Sequence, residues 1–429
     1  MSKYYIWTIG CQMNKAESQR VADYLELLGY QATDMLQNAS LVVLNTCVVR
    51  QSAEGKVIGT LGYLKGIKNN KPDLSILVTG CFVDSNIERL EKSFPQVDLF
   101  FKSGDYAGLL SWAEKRDIAI PNYGAHLPLN NEVAVSALIP IIQGCNNFCS
   151  YCIVPYRRGR EISRPIEEVV CDVTELVKRG VREVTLLGQN VNSYGHDLPG
   201  RPKLGNLLTE LNYIGELARI RFLTNHPKDM SRELIQDIAP LDKVCEYINL
   251  PFQAGDDDVL KAMRRGYTVE QYRQLVGVIR DCISEIALST DVIVGFPDES
   301  EEQFERTLAM LMEIRFDTVH VATYSSRPGT IASREFEDNI SPDIKKNRLN
   351  RVETLQAKIA GGINSQLTGK TVEILVEGKK GVKWYGRTRS NKLVFFESDN
   401  NCMGQLLDVT IARTSPWALQ AGMQALVVK

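Results

Sequence analysis

Histidine is scarce and scattered in this chain. His126, His196, His226 and His320 are the only four in 429 residues, which argues against a histidine metal site. His226, in Thr-Asn-His-Pro, falls near a barrel mouth and is expected to cap a strand end. No apolar run approaches the roughly 20 residues that a bilayer span needs. The first ten residues, Met1 to Gly10, run into a strand-like stretch with neither a charged leader region nor a cleavage site. A monomer in the reducing cytoplasm, without membrane contact, is therefore expected. An excess of one charge is also missing: 50 Lys and Arg face 52 Asp and Glu, for a net charge of -2. Any nucleic-acid contact must then come from local basic surface.

Cysteine, by contrast, is plentiful, with ten in the chain. Disulfide frameworks belong mainly to small secreted proteins, so metal or redox chemistry is the leading expectation here. The length predicts two or three domains. In the first hundred residues an apolar run leads to a turn and then to a helical pattern, three times over: Tyr4 to Ile9 before Gly10-Cys11, Ser40 to Thr46 before Cys47, and Leu74 to Gly80 before Cys81. That alternation predicts a parallel α/β domain over residues 1–118. Turn-rich sequence, with Pro121, Asn122, Gly124, Pro128, Asn130 and Asn131, marks a linker over 119–135. From Ser136 the alternation resumes, with strands expected at Leu138–Ile142, Glu183–Leu187, Arg219–Leu223, Tyr247–Leu250, Ala287–Val294 and Thr318–Tyr324. Six such units suit a partial (β/α)6 barrel over 136–366, ending in a helix from Pro342 to about Gln366. Short strands split by Gly, Asn and Ser then predict a small all-β barrel over 367–429.

Two cysteine sets stand out. Cys145-Asn-Asn-Phe-Cys149-Ser-Tyr-Cys152 places three thiols within eight residues, directly after a strand. A four-iron four-sulfur cluster ordinarily takes four cysteinates, one per iron. Here the next cysteine is Cys171, inside a helical pattern, so one iron would stay open to an exchangeable ligand. A structural zinc knot or three core cysteines would be the alternatives, but zinc would want a fourth Cys or His close by. Cys11, Cys47 and Cys81 are 36 and 34 residues apart, each directly after an apolar strand. Loops at the carboxyl ends of parallel strands face one crevice, so these thiols are candidates for a second shared site. Small core residues would be the other reading. Cys245 and Cys282 read as core, and Cys402 as a turn residue without a partner.

The spacing Cys-x3-Cys-x2-Cys after the first barrel strand resembles the signature of radical S-adenosylmethionine enzymes. The phrases Thr8-Ile-Gly-Cys11-Gln-Met-Asn14, Asn45-Thr-Cys47 and Thr79-Gly-Cys81 are similar to the N-terminal domain of the methylthiotransferases. Leu187-Gly-Gln-Asn-Val-Asn-Ser-Tyr-Gly195, Leu250-Pro-Phe-Gln-Ala-Gly255, Met263-Arg-Arg-Gly-Tyr-Thr268 and Thr290-Asp-Val-Ile-Val-Gly-Phe-Pro-Asp-Glu299 look like that family's barrel motifs, and residues 367–429 look like its RNA-binding TRAM module. The resemblance covers essentially the whole chain.

It implies two 4Fe-4S clusters, one on Cys145, Cys149 and Cys152 and an auxiliary one on Cys11, Cys47 and Cys81. It also implies that one S-adenosylmethionine molecule methylates a sulfur of the auxiliary cluster and that a second, bound at the open iron and reduced by one electron, yields a 5'-deoxyadenosyl radical. Tyr151 would pack near the adenine. Gln189 and Asn190 are candidates to hold the methionine amine, with Gln253 and Asp291 on the same rim. An electron donor such as flavodoxin or ferredoxin and a sulfur donor would be partners. Known branches act on isopentenyladenosine in tRNA, on threonylcarbamoyladenosine in tRNA, or on a ribosomal-protein aspartate. Asn45 to Lys56, with Arg50 and Glu54, and Cys149 to Glu161 are similar to the isopentenyladenosine branch, although Gln51 and Ser52 replace its more usual acidic-basic pair.

RNA binding has its own support in the residues. Positions 367–429 hold nine Lys or Arg against five Asp or Glu, and Lys379, Lys380, Lys383, Arg387, Arg389 and Lys392 cluster around Trp384 and Tyr385. Such a mix grips phosphates and stacks bases, though a solvated hairpin face would look alike. Arg157, Arg158 and Arg160, with Arg164, follow the cysteine loop and could steer a polyanion toward it, or pair with Glu161, Glu167 and Glu168. Two readings from other classes explain parts of the pattern: a ferredoxin-like electron carrier, and an RNA-binding protein using clusters as structural staples.

Overall fold

The computed structural model describes residues 2–48, 51–84, 86–121, 134–422 and 427–428. Most of the expected linker, and Arg50, lie outside them. The apolar runs of the N-terminal third form five parallel strands, β1 (Lys3–Thr8), β2 (Gln31–Ala32), β3 (Leu41–Thr46), β4 (Ser75–Gly80) and β5 (Leu99–Phe100), in the order β2-β1-β3-β4-β5. Every residue of β3 is buried, because helices cover both faces. Leu41 and Val43 pack with Val21, Leu25 and Trp112 on one side. Leu44 packs with Val57 and Leu61 on the other. This doubly wound arrangement reverses strand order between β1 and β3, and ligand sites of such sheets lie at that reversal, outside the carboxyl ends of the strands.

The middle of the chain forms an open parallel barrel. Its strands are β6 (Ser136–Pro140), then β9 to β13 after a short antiparallel hairpin of β7 (Ile142–Gln143) and β8 (Ile162–Ser163). They are β9 (Glu183–Leu187), β10 (Arg219–Phe222), β11 (Tyr247–Asn249), β12 (Ala287–Val294) and β13 (Thr318–Thr323). The run β6-β9-β10 continues into β11-β12-β13 through a parallel bridge between Ile220 and Val244. Expectation and structure differ at the first strand: it breaks at Ile141, where the backbone leaves β6 to enter the hairpin that encloses the cysteine loop.

The helix Pro342–Ser365 packs along β13 and leads into β14 (Thr371–Lys380), β15 (Lys383–Thr388), β16 (Leu393–Glu397), β17 (Leu406–Thr414) and β18 (Leu419–Ala421). These five close on themselves in the order β14-β15-β16-β18-β17, with β17 returning to β14, and β19 (Val427–Val428) adds to β17. The chain is thus a parallel α/β domain, a partial (β/α)6 barrel and a small closed β-barrel. No described helix is long and apolar enough to cross a membrane.

Candidate functional site: two thiol sets on one cavity

Cys11, Cys47 and Cys81 come from three separate loops, brought together because β1, β3 and β4 are neighbours. The approach is close enough to require glycine. A Cβ on Gly10 would sit 2.9 Å from the Cys47 Cβ, and one on Gly80, whose φ is +92°, would sit 2.3 Å from the Thr46 carbonyl oxygen. Asn14, fully buried, cross-braces the loops. Its carboxamide accepts from the Cys11 backbone N–H at 3.4 Å and from the Cys11 thiol at 3.3 Å, and donates to Asn45 Oδ1 at 2.8 Å and to the Thr46 carbonyl at 2.9 Å. The Cys81 N–H in turn donates to the Thr46 carbonyl at 2.8 Å.

Cys145, Cys149 and Cys152 share one loop, pinched at its base by the β7–β8 pair. Gly144, with φ +82°, passes so close to the returning strand that a Cβ would lie 2.0 Å from the Arg160 carbonyl oxygen. The Gly144 N–H donates to Gln189 Oε1 at 2.6 Å, and the Cys145 N–H to the Gly159 carbonyl at 3.2 Å. Burial pushes the Cys145 thiol up to about 11 and the Cys152 thiol up to about 12. Burial also raises the Cys81 thiol, opposed by the Arg158 guanidinium. Among the described residues no three His, Cys, Asp or Glu side chains stand close enough to hold a single metal ion. A cluster places its cysteinates on separate irons, so its ligands need more room than one ion allows.

Cys11 and Cys81 line the same cavity as Cys145, Cys149 and Cys152, a space of about 1420 Å³ running down the barrel. Cys47 stands behind them, against Gly10. Tyr151, Gln189, Gln253 and Asp291 also line it. Gln253 has a positive φ of 72°, and its Oε1 is buried without a partner, as are Asn225 Oδ1 on the same wall and Asn190 Oδ1. Asn190 Nδ2 donates to Asp229 at 2.7 Å, and Asp229 also receives Asn147 of the cysteine loop at 3.1 Å. Asp291 accepts from Asn249 at 3.3 Å.

Arg265 was not singled out by sequence. Its buried guanidinium donates to Cys149 Sγ at 3.3 Å, the Tyr151 hydroxyl at 3.4 Å and the Pro251 carbonyl at 2.8 Å. The doubled Arg before Gly in Met263-Arg-Arg-Gly was the available signal. His226 caps the short 3-10 turn Pro227–Asp229 rather than a strand end, its Nδ1 accepting from the Lys228 N–H, and its Nε2 reaches to 3.9 Å from Cys149 Sγ. Burial, then Arg265 and Lys228, lower its pKa to about 2, so the ring is neutral.

The residues expected to grip RNA are mostly engaged within the protein. Trp384 is in the core of the C-terminal barrel, its indole N–H donating to the Ser398 carbonyl and one face covered by Lys379, so it offers no platform to a base. Arg158 is buried against Glu17 and Cys81, and Arg157 pairs with Asp84 at 2.9 Å. Arg160 stacks on Phe148. Arg387 and Lys383 face Glu377 and Glu397 at 3.5 and 3.7 Å. Arg389 forks onto Glu246 at 2.7 Å, while Arg219 and Arg221 donate to the carbonyls of Arg387, Thr388 and Arg389. The β15–β16 turn therefore plugs the amino end of the barrel strands, opposite the cysteine loop.

Residues 139–311 match the model of the radical SAM superfamily, residues 3–102 that of uncharacterized protein family UPF0004, and residues 365–423 that of the TRAM domain. Among solved structures, the radical S-adenosylmethionine methyltransferase TsrM of Kitasatospora setae is similar in fold, with a TM-score of 0.55 at 15% identity over 78% of this chain and 77% of that one. Curated relatives are far nearer. One from Dehalococcoides mccartyi (strain CBDB1) is 51% identical over 98% of both chains. Another from Herpetosiphon aurantiacus is 44% identical over 97% of this chain and 96% of its own. Both are named tRNA-2-methylthio-N(6)-dimethylallyladenosine synthase. With half of its residues shared across nearly its whole length, the chain belongs to the tRNA-2-methylthio-N(6)-dimethylallyladenosine synthase family of radical SAM methylthiotransferases.

Proposed function

We propose that this enzyme adds a methylthio group to the adenine C2 of N6-isopentenyladenosine next to the anticodon of tRNA, using two 4Fe-4S clusters and S-adenosylmethionine. The observation that carries the reading is the single cavity lined by thiols of both sets. Its residues fit the groups required. The Cys81, Cys145 and Cys152 thiols, which burial holds protonated, would become ligands once iron supplied the opposing charge. The orphaned carboxamide oxygens of Gln253 and Asn225 suit an ammonium group such as that of the cofactor's methionine part. When bound, these groups supply the one-electron chemistry that an unactivated aromatic carbon–hydrogen bond demands.

The side chains then orient and shield. Arg265 holds the Cys149 sulfur, Tyr151 and the Pro251 carbonyl in one frame. Gln189 fixes the entry of the cysteine loop through Gly144 while it lines the cavity. Exposed Lys379 and Lys380 on the TRAM barrel remain for phosphate contact. The units 1–118, 136–366 and 367–429 would carry the auxiliary cluster, the radical chemistry and RNA binding respectively, with electron and sulfur donors supplied from outside. Reduced protein, given isopentenylated tRNA, threonylcarbamoylated tRNA and the ribosomal protein in parallel, is expected to methylthiolate the first. Product on either of the other two alone overturns the substrate.

A further inference from the structure

The segment Val154–Arg158 begins two residues after Cys152 and ends in two arginines that both leave the barrel. Arg157 reaches Asp84, three residues past Cys81. Arg158 inserts between Glu17, by an ion pair and a second hydrogen bond of 3.3 Å, and the sulfur of Cys81, to which its Nε–H donates at 3.2 Å. Its side chain is 3% exposed and that of Glu17 9%. The contact is braced behind: Ser103 Oγ donates to Glu17 Oε2 at 3.2 Å, and Gln143, two residues before Cys145, donates to the Ser103 carbonyl at 3.1 Å.

Adhesion between domains does not explain a buried guanidinium, since an apolar pair of similar volume would hold them as well or better. What arginine alone offers is a rigid planar fork, two donors to the carboxylate and a third, Nε–H, aimed elsewhere. Here the third points at a sulfur of the dispersed thiol set, while the chain that carries it starts at the local set. We propose that Arg158 is a positioning residue that fixes the two thiol sets relative to each other and, through its donation to Cys81, tunes the N-terminal site. The inference rests on the reading that each set holds a cluster. Cluster potentials depend on hydrogen bonds to their sulfurs. A positive donor stabilises the more negative, reduced form, so removing it lowers the potential.

The test compares wild type, Arg158→Lys, Glu17→Gln and Arg157→Gln as full-length protein with reconstituted iron and sulfide. Two quantities are read: the reduction potential of the N-terminal site by titration followed by electron paramagnetic resonance, and the 5'-deoxyadenosine released per methylthiolated tRNA. Arg158→Lys keeps the charge but not the Nε–H. It is expected to lower the potential and raise the ratio roughly tenfold, the lower end of what ligand-supporting residues cost. Glu17→Gln keeps the donor but loosens its aim and also removes a negative charge beside Cys81, so it should raise the ratio by less, with the two effects on the potential opposed. Arg157→Gln should leave the potential where it is. Wild-type potential and ratio in Arg158→Lys overturn the proposal. Should that variant lose its N-terminal iron, Glu17→Gln decides alone, and a wild-type ratio there overturns it. A wild type holding iron for only one cluster instead defeats the two-cluster reading, a different result.

Discussion

The two thiol sets of this protein reach the same cavity by opposite routes. Cys145, Cys149 and Cys152 are neighbours in sequence, so a single loop, pinched by β7–β8, delivers them. Cys11, Cys47 and Cys81 are distant in sequence and meet only because β1, β3 and β4 lie side by side. The local set is thus held largely by chain connectivity, the dispersed set by tertiary fit. The consequence is that damage to the packing around Asn14 and Gly80 should reach chemistry, whereas comparable damage around the local loop should not.

The largest expected effect separates the roles of the sets. Replacing Cys145, Cys149 and Cys152 together by alanine should leave about half the iron and reduce cleavage of S-adenosylmethionine to background, because a cluster needs its cysteinates. The matching Cys11, Cys47 and Cys81 variant should also lose half the iron, yet still cleave the cofactor and release tRNA without the methylthio mass. Loss of cleavage in both would mean the two sets do not divide the work.

Next in size comes Asn14→Ala. Asn14 is fully buried, and its removal strands Asn45 Oδ1 and the Cys11 N–H and takes from the Thr46 carbonyl one of its two donors, leaving the Cys81 N–H. Leaving buried polar groups unsatisfied costs about 3 kcal/mol in total, which should appear as a lowered melting temperature together with iron missing from the N-terminal site alone. Full iron at unchanged stability would show that strand order by itself holds the dispersed set.

How much of this was legible in sequence follows the same division. Strand-like runs set between turn residues located all six barrel strands, Glu183–Leu187 and Ala287–Val294 to the residue. The local thiols announced themselves by spacing, and the dispersed ones by their place after strands. Hidden were contacts made between domains: nothing around Arg158 points to Glu17, 141 positions away, nor anything around Arg389 to Glu246. Trp384 is a different case, because its signal was present. On β15, Trp384, Gly386 and Thr388 alternate with Lys383, Tyr385 and Arg387, and the first three are the buried face. Period-two alternation assigns Trp384 to the core, while Lys383, Tyr385 and Arg387 form the opposite face.

The smallest expected effect concerns the local loop. Asn146 is pinned to Glu161 three times on the protein surface, its N–H and its Nδ2 each donating at 3.1 Å and its Oδ1 accepting from the Glu161 N–H at 3.5 Å. Asn146→Ala removes the two side-chain bonds but leaves the backbone donation, the β7–β8 pairing below and the Gly144–Gln189 hydrogen bond. Only two exposed bonds are lost, one of them long, together about 1 kcal/mol, and the three thiols stay within one short covalent span. Iron content and cofactor cleavage should therefore match wild type, with melting lowered slightly. Loss of iron from this variant as severe as that from Asn14→Ala would break the distinction between connectivity and packing, and would make the local loop as dependent on its braces as the three strands are on theirs.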